Sequence, residues 1–216
     1  MITVKRFTCN MLAENCYVVS DETRAAVIID CGALYEEENQ AIVSYIKTEH
    51  LTPVHLLCTH GHFDHCIGNG FIYEQFGLQP EAHQEDQFLM EKMKAQTREF
   101  LGIELPTDVP PVRAYFKDKD QITFGSHTLQ ILHTPGHTPG GVVFYCKEEN
   151  IAFSGDTLFR MSIGRTDFER GSYEQIIHSL QQVLAKLPGE TKVYPGHGPA
   201  TTIAEEIKYN PYFMGY

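Results

Sequence analysis

The stretch Thr59-His60-Gly61-His62-Phe63-Asp64-His65 concentrates three histidines and one carboxylate within six consecutive residues, from His60 to His65. Packing alone does not explain such a concentration of polar side chains. Three glycine-containing segments downstream supply matching groups: His137 in residues 134–140 (TPGHTPG), Asp156 in residues 154–157 (SGDT) and His197 in residues 195–199 (PGHGP). Imidazole and carboxylate groups suit zinc, iron and manganese. Together these segments offer enough ligands for two metal ions.

The spacing divides these seven side chains between two ions. Two histidines that are two residues apart can reach one ion from the same side of an extended or loop backbone, whereas the next polar residues of the stretch point elsewhere. Two ions about 3.5–4 Å apart can share a hydroxide, lower its pKa toward neutrality and polarise a substrate oxygen. The predicted sets are His60, His62 and His137 for one ion, Asp64, His65 and His197 for the other, and Asp156 as a bridge.

Each ligand-bearing segment follows an apolar run that predicts a β-strand. These four strands are expected at residues 54–58, 128–133, 151–154 and 192–194. Helices are predicted from residue 36 onward and at 66–77, 84–101, 173–187 and 202–210. The order of elements predicts an α/β (α+β) single domain over residues 1–216, with two βα halves, sheets inside and helices outside. Ligands at strand ends would then converge at one sheet edge, where α/β folds build their sites.

Composition and charge exclude several classes of function. The net charge of −11 argues against a nucleic-acid surface, because phosphate contacts need clustered lysine and arginine. No apolar stretch approaches the length of a membrane span, and the first residues lack the pattern of a signal peptide. The six cysteines are scattered without a Cys-x-x-Cys pair, which indicates free thiols in a reducing compartment. We therefore expect a cytoplasmic protein with a small-molecule substrate.

Several other side chains have a structural as well as a functional interpretation. Asp30 ends an apolar strand and could orient a ligating histidine, because such histidines usually donate their second N–H to a carboxylate; it could equally be a turn residue. Cys66 follows the cluster and is either a buried thiol or a neighbour of the site. The remaining histidines predict surface or packing positions; they are His50, His55, His83, His127, His133 and His178.

With this set of residues the chain resembles the metallo-β-lactamase-fold hydrolases. Their motif is His-x-His-x-Asp-His followed by a later His, an Asp and a final His, and the seven residues above match it position by position. The resemblance implies a four-layer αββα sandwich. Segments 154–159 (SGDTLF) and 194–202 (YPGHGPATT) resemble the glyoxalase II-like branch, in which an Asp is the bridging ligand.

That resemblance implies a metal-dependent hydrolase that cleaves an acyl-thioester with a metal-bridging hydroxide as nucleophile. Two divalent metal ions are implied, zinc first, with iron or manganese also compatible. Asp64 would orient the hydroxide and pass on its proton, which makes it the expected catalytic residue. A homo-oligomer is left open by the aromatic tail at 210–216, which could cover the site or lie in a dimer interface.

Two departures from glyoxalase II keep the substrate open. Nineteen residues follow His197, too few for the C-terminal helical domain that helps to hold glutathione there. In segment 163–168 (IGRTDF), Arg165 stands where glyoxalase II has lysine, and it could bind a substrate carboxylate or pair with Asp167 as a brace. This segment also resembles the persulfide dioxygenases, which hold one iron through residues matching His60, His137 and Asp156. An iron-dependent oxidoreductase is therefore the alternative, and a non-catalytic binding protein is disfavoured by the intact ligand set.

Overall fold

The computed structural model describes residues 1–105 and 107–213. The described strands are β1 Thr3–Cys9, β2 Glu14–Ser20, β3 Ala25–Ile29, β4 Thr52–Leu57, β5 Pro80–His83, β6 Ala114–Phe116, β7 Gln121–Phe124, β8 His127–His133, β9 Val142–Cys146, β10 Ile151–Gly155, β11 Lys192–Pro195 and β12 Thr201–Thr202. The described α-helices are α1 Glu36–Thr48, α2 Phe63–Cys66, α3 Asn69–Phe76, α4 Gln87–Glu91, α5 Met93–Leu101, α6 Tyr173–Gln182 and α7 Ile203–Tyr209. Short 3₁₀ turns cover Gln84–Asp86 and Leu184–Lys186.

The strands form two mixed sheets of six strands each. The first sheet has the order β1-β2-β3-β4-β5-β6, and the second has the order β12-β11-β10-β9-β8-β7. The pairs β3–β4, β4–β5, β5–β6 and β10–β11 are parallel. All other neighbouring pairs are antiparallel. The parallel pairs require crossover connections, and helices supply them.

Four apolar clusters hold the sheets and helices together, and the smallest lies under α2, α4 and α5. The inner faces of both sheets share one core, in which Val27 and Leu57 of the first sheet pack with Leu129 and Phe144 of the second. A second core lies between the outer face of the first sheet and helices α1 and α3. A third lies between the outer face of the second sheet and helices α6 and α7. Since strands buried on both faces must be apolar throughout, the continuous apolar runs of β3, β9 and β10 follow from this layering. The arrangement is the expected αββα sandwich.

The helix boundaries differ from the sequence prediction in three places. The predicted helix 84–101 is divided, because the chain turns at Lys92 (φ −89°, ψ 8°) between α4 and α5. The predicted helix 66–77 begins earlier as α2 and continues as α3, which ends at Gly77 in the left-handed conformation (φ 69°). The helix predicted over 173–187 stops at Gln182 and continues as a 3₁₀ turn. The sequence pattern does not indicate strands β5, β6 and β12.

The cysteines and the C-terminal segment concern the expectations of free thiols and of an aromatic tail that covers the site or lies in a dimer interface. All six cysteines are buried and free, as the scattered spacing predicts. Tyr212 and Phe213 pack against the apolar layer under α6 and α7, and Met214–Tyr216 lie outside the described residues, so the expectation for the tail stays a prediction. Within the described part of the chain, every helix is too short or too polar to traverse a lipid bilayer.

Candidate metal centre

The seven expected ligands all lie at one edge of the sandwich, in segments that follow parallel or central strands. The His60–His65 stretch follows β4, where His62 has extended backbone angles (φ −73°, ψ 149°) and immediately precedes α2. The single turn of α2 then carries Asp64 and His65. The other three ligands follow strands of the second sheet: His137 lies after β8, Asp156 after β10 and His197 after β11.

The ligand atoms converge in the two sets that the sequence predicts. Ligand atoms of His60, His62 and His137 lie within 4.8 Å of one another, and so do those of Asp64, His65 and His197. His62 Nδ1 is 2.9 Å from His137 Nε2. His65 Nε2 is 3.3 Å from His197 Nε2.

Asp156 lies between the two sets. Its Oδ1 is 3.3 Å from His65 Nε2, and its Oδ2 is 3.5 Å from His137 Nε2 and 3.7 Å from His197 Nε2. One carboxylate therefore faces ring nitrogens of both groups, which is the position of a bridging ligand.

The protonation states of these groups suit cations. Burial and then the neighbouring His137 lower the pKa of His62 to about 3, and burial likewise lowers the pKa of His60 well below its ordinary value, so both rings are neutral. Burial alone would raise the pKa of Asp156, but His65 outweighs burial and holds it well below the ordinary value. Burial opposes a charge on His65, yet Asp156 and Asp64 raise its pKa well above the ordinary value. The centre therefore favours positive charge, which metal ions supply.

Unpaired buried atoms show that a cation fits this centre. His60 Nε2 and Asp156 Oδ1 are buried and make no well-aligned hydrogen bond, although Asp156 Oδ1 lies 3.3 Å from His65 Nε2. Buried polar atoms are nearly always hydrogen-bonded, so two unpaired atoms in one cluster need an explanation. Coordination to a metal ion would satisfy both, because neutral imidazole and ionised carboxylate are the forms that bind metals.

The opposite ring nitrogens are held by groups outside the cluster. Asp30 Oδ2 lies 3.1 Å from His65 Nδ1, and the same carboxylate accepts from the backbone N–H and the hydroxyl of Thr59, each at 2.7 Å. The ring of His137 donates through Nδ1 to the carbonyl oxygen of Arg165 at 2.6 Å. Such contacts fix the tautomer and direction of a ligating ring. Asp30 thus occupies the orienting position considered from the sequence, and it also sits at a turn with φ 52°.

Sequence reasoning missed Asp86, which ties two ligand loops together. This fully buried carboxylate accepts from Gly61 N at 2.9 Å, from Thr138 Oγ1 at 2.8 Å and from Gly140 N at 2.7 Å. Gly61 lies between His60 and His62, and the other two donors lie in the same loop as His137, directly after it. The sequence signal was ambiguous, because an acidic residue early in a predicted helix is ordinarily a favourable helix-terminal charge.

A cavity of about 510 Å³ opens directly above the ligands. Its floor includes Asp64 and four other expected ligands, and its walls are mostly apolar. The apolar wall residues are Leu12, Phe63, Phe100, Leu101, Phe159 and Phe168. This volume and lining are typical of small-molecule sites.

Arg165 lines the cavity, but its guanidinium is paired. Nε and Nη2 donate to the two carboxylate oxygens of Asp167 at 2.6 and 2.7 Å, and the guanidinium carbon lies 4.2 Å from the centre of the Phe168 ring. The pairing lowers the pKa of Asp167 to about 2. The structure thus shows the contact between Arg165 and Asp167. Binding of a substrate by Arg165 stays a prediction. Cys66 is buried, with Sγ 3.5 Å from the carbonyl oxygen of His60.

The six remaining histidines lie outside the ligand cluster. His50 and His178 are exposed, whereas His83 and His133 stack with ring centres 4.3 Å apart. His55 contacts Glu81 at 2.7 Å, and His127 lies between Asp21 and Glu149. These are the surface and packing positions that the sequence indicates.

Comparison with known families assigns the chain. The metallo-beta-lactamase superfamily matches residues 10–197, which include all seven expected ligands. The chain belongs to this superfamily. Over 200 residues, it is 35% identical to "Hydroxyacylglutathione hydrolase GloC" of Haemophilus influenzae, with 92% of each chain covered.

Several solved structures share the fold along almost the whole chain. The B3 metallo-beta-lactamase BLEG-1 has a TM-score of 0.90 and 32% identity, covering 99% of this chain and 100% of that one. TTHA1623 in a di-iron-bound form has a TM-score of 0.85 and 37% identity, covering 97% and 100%. ETHE1 from Myxococcus xanthus has a TM-score of 0.78 and 28% identity, covering 97% and 83%. The chain is therefore a metallohydrolase by family, with a fold that is shared along its length.

Proposed function

We propose that this superfamily member is a dinuclear metal-dependent hydrolase that cleaves acyl-thioesters. One observation carries the proposal: two converging ligand sets joined by Asp156 lie at the floor of an apolar cavity of about 510 Å³. The 35% identity to the hydroxyacylglutathione hydrolase GloC supports the thioester as substrate class. Zinc is the first candidate metal, and iron and manganese are the others.

Each ligand set would hold one of the two ions. His60, His62 and His137 would hold one ion, Asp64, His65 and His197 the other, and Asp156 would bridge them. When bound, two such ions polarise a substrate carbonyl, lower the pKa of water and stabilise negative charge on oxygen or sulfur. Arg165 is the one lysine or arginine among the described residues that line the cavity, and it is paired with Asp167. Positive charge at the floor of the cavity therefore depends on the ligand residues and on what they bind.

Asp64 is the proposed catalytic residue among the protein side chains. Its carboxylate lines the cavity, with Oδ2 3.4 Å from His197 Nε2 and 3.7 Å from His65 Nε2. Burial alone would raise the pKa of Asp64, but His65 and His197 lower it, so the carboxylate is ionised. It can therefore accept a hydrogen bond from the attacking water, orient it and pass its proton toward the leaving thiolate.

The test combines elemental analysis with turnover. Protein purified without added metal is analysed for metal content, then loaded with zinc, iron or manganese and assayed with S-lactoylglutathione and a series of other acyl-thioesters. We expect two metal ions per chain and hydrolysis that D64N lowers by a factor of about 100 or more. A matched His178→Gln variant at an exposed histidine should behave as wild type. Protein with two bound metals that hydrolyses no thioester contradicts the proposal.

A mononuclear iron persulfide dioxygenase is the second candidate. The sequence of segment 163–168 favours this candidate. The three iron ligands it requires, His60, His137 and Asp156, lie close together: His137 Nε2 is 3.5 Å from Asp156 Oδ2, and ligand atoms of His60 lie within 4.8 Å of ligand atoms of both. TTHA1623, at 37% identity, was solved in a di-iron-bound form, so iron fits a close relative. Oxygen uptake with glutathione persulfide and one iron per chain would favour this candidate, whereas two metals per chain count against it.

Location and assembly follow as proposals from the same features. The six free, buried thiols favour a reducing compartment, and we propose the cytoplasm. A homo-oligomer is proposed from the aromatic C-terminal segment, and light scattering of the purified chain tests it.

A further inference from the structure

An aromatic row connects the mouth of the cavity to the metal ligands. Phe100, which is 50% exposed, stacks on Phe63 with ring centres 5.4 Å apart and planes 13° apart. Phe168 meets Phe100 edge-on at 5.9 Å and lies 5.0 Å from the ring of His62. An exposed aromatic side chain beside a functional cavity offers a face on which another ring or an alkyl chain can pack. The row therefore provides an apolar surface that begins in solvent and ends at the reacting centre.

The wall of the cavity offers no net positive charge to an anionic substrate. Arg165 is the one lysine or arginine among the described residues that line the cavity. Both carboxylate oxygens of Asp167 accept from its guanidinium, whose flat face covers Phe168. Because Asp167 neutralises Arg165, the pair offers a substrate carboxylate no net positive charge, and the rest of the wall is the aromatic row. Placing a charge against apolar groups without a partner is costly.

We propose that the cavity selects thioesters whose acyl group is neutral and apolar, with aryl-bearing acyl groups preferred and acyl groups carrying a carboxylate excluded. This inference rests on the proposed thioester hydrolysis. The aromatic row supplies the favourable contact, and Asp167 neutralises the charge of Arg165, which would otherwise attract a carboxylate. Phe100, Phe168 and Asp167 are thus the residues that determine specificity.

Thioesters that share one small thiol test the preference. The 3-phenylpropanoyl, butanoyl and succinyl thioesters of N-acetylcysteamine differ in the acyl group alone, and kcat/KM is measured for each with the metal-loaded enzyme. We expect 3-phenylpropanoyl to exceed succinyl by about tenfold or more. Succinyl hydrolysis at an equal or higher kcat/KM overturns the inference and leaves the proposed thioester hydrolysis standing.

Variants of the aromatic row connect the preference to named residues. Phe100→Ala and Phe168→Ala should lower the 3-phenylpropanoyl to butanoyl ratio of kcat/KM severalfold. Tyr73→Ala is the matched control, because Tyr73 is a 44% exposed aromatic residue on α3 that does not line the cavity, and it should keep the wild-type ratio. Equal ratios in all three variants would exclude the aromatic row as the binding surface.

A gain of function tests the ion pair separately. Asp167→Asn removes the negative charge that neutralises Arg165, so the guanidinium would present a net positive charge to a substrate carboxylate. The succinyl to butanoyl ratio should rise severalfold in this variant. An unchanged ratio overturns the assignment of carboxylate exclusion to the Arg165–Asp167 pair.

Binding without turnover separates this inference from the proposed function. The ketone 4-phenylbutan-2-one has the shape of the aryl acyl group but no scissile bond, and 4-oxopentanoate is a carboxylated counterpart. Saturation-transfer NMR should show binding of the aryl ketone to wild type, weaker binding to Phe100→Ala and no binding of 4-oxopentanoate. If these binding results are obtained but the enzyme hydrolyses no thioester, the proposed function is refuted and the apolar preference of the cavity is retained. Equal binding of the two compounds, or binding of neither, overturns the preference.

Discussion

At Asp86 one buried carboxylate holds two ligand loops in register. Its three donors come from the His60–His62 loop and from the loop of His137, and these loops belong to different sheets. Asp86→Asn replaces one acceptor by an NH₂ group that faces a backbone N–H. We expect a loss of about 1–3 kcal/mol in unfolding free energy from the unpaired donor. We also expect metal affinity about tenfold lower, measured by competition with a chelator, because the loops lose their common anchor.

Glu206 is a matched control for that prediction. It is also fully buried and accepts from three donors, Met161 N, Thr201 Oγ1 and Asn210 Nδ2, but these donors lie outside the ligand loops. Glu206→Gln should lose comparable stability and keep the wild-type metal affinity. Equal loss of metal affinity in the two variants would mean that general destabilisation, and not loop anchoring, explains the Asp86 result.

The sequence indicates the ligands but not the residues that anchor them. His60 and the other six ligands can be predicted from the sequence because imidazole and carboxylate groups recur in tight turns after apolar strands. The anchoring role of Asp86 cannot be predicted from the sequence, because its contacts are to backbone N–H groups and a hydroxyl more than 20 residues away in sequence. For Arg165 the sequence leaves two roles open, binding a substrate carboxylate or pairing with Asp167. The positions of the side chains show the pairing with Asp167.

Among the elements, the start of α6 abuts the loop of His137. Ser172 caps this helix by accepting from Gln175 N at 3.3 Å, and its own N–H donates to the Gly136 carbonyl at 2.8 Å. Gly136 has φ 143°, and a Cβ there would lie 2.4 Å from the backbone nitrogen of Ile176. Gly136→Ala must therefore push the loop away from α6. We expect lower metal content per chain by elemental analysis and hydrolysis reduced about tenfold or more.

Gly77 provides the control for this substitution. It also has positive φ, at 69°, but a Cβ there would have no atom within 4 Å. Gly77→Ala should lose about 1 kcal/mol through the left-handed conformation alone and keep its metal content. If both alanine variants retain metal equally, the close approach of α6 does not position His137.

The division between α4 and α5 shows why element boundaries resist prediction. Apolar positions at helical spacing run through 84–101 without proline or glycine, so the sequence predicts one helix. In the structure Gln96 Nε2 donates to the Leu89 carbonyl at 2.8 Å and to the Gly61 carbonyl at 3.1 Å. A buried side chain thus satisfies a helix-terminal carbonyl and reaches the ligand loop. Tertiary contacts of this kind override local propensity.

Over the whole molecule, a charged cluster at the ends of β2 and β8 links the two sheets. Asp21 Oδ2 accepts from Ser126 N at 2.6 Å and lies 3.1 Å from His127 Nδ1, while His127 Nε2 lies 3.1 Å from Glu149 Oε1. Burial opposes the charge on His127, but the hydrogen bonds to Asp21 and Glu149 outweigh burial and raise its pKa. Burial also opposes the charge on Asp21, and its hydrogen bonds, led by that from Thr23, lower its pKa nonetheless. The order of strands predicted the two halves, whereas this link depends on side chains over 100 residues apart.

The cluster predicts a stability difference with a defined dependence on pH. A raised pKa in the folded state means that the contribution of His127 is complete below its ordinary pKa of about 6.5 and is lost as pH rises through the raised value. The lowered pKa of Asp21 means that its contribution is present above about 3.9 and is lost as pH falls. His127→Gln should therefore be less stable than wild type by about 1 kcal/mol between roughly pH 4 and 6.5, and the difference should shrink at alkaline pH. Urea unfolding in the presence of chelator measures it, with His178→Gln as the exposed-histidine control. A difference that grows with rising pH would show that His127 is neutral in the folded protein and that the link between the sheets does not depend on its charge.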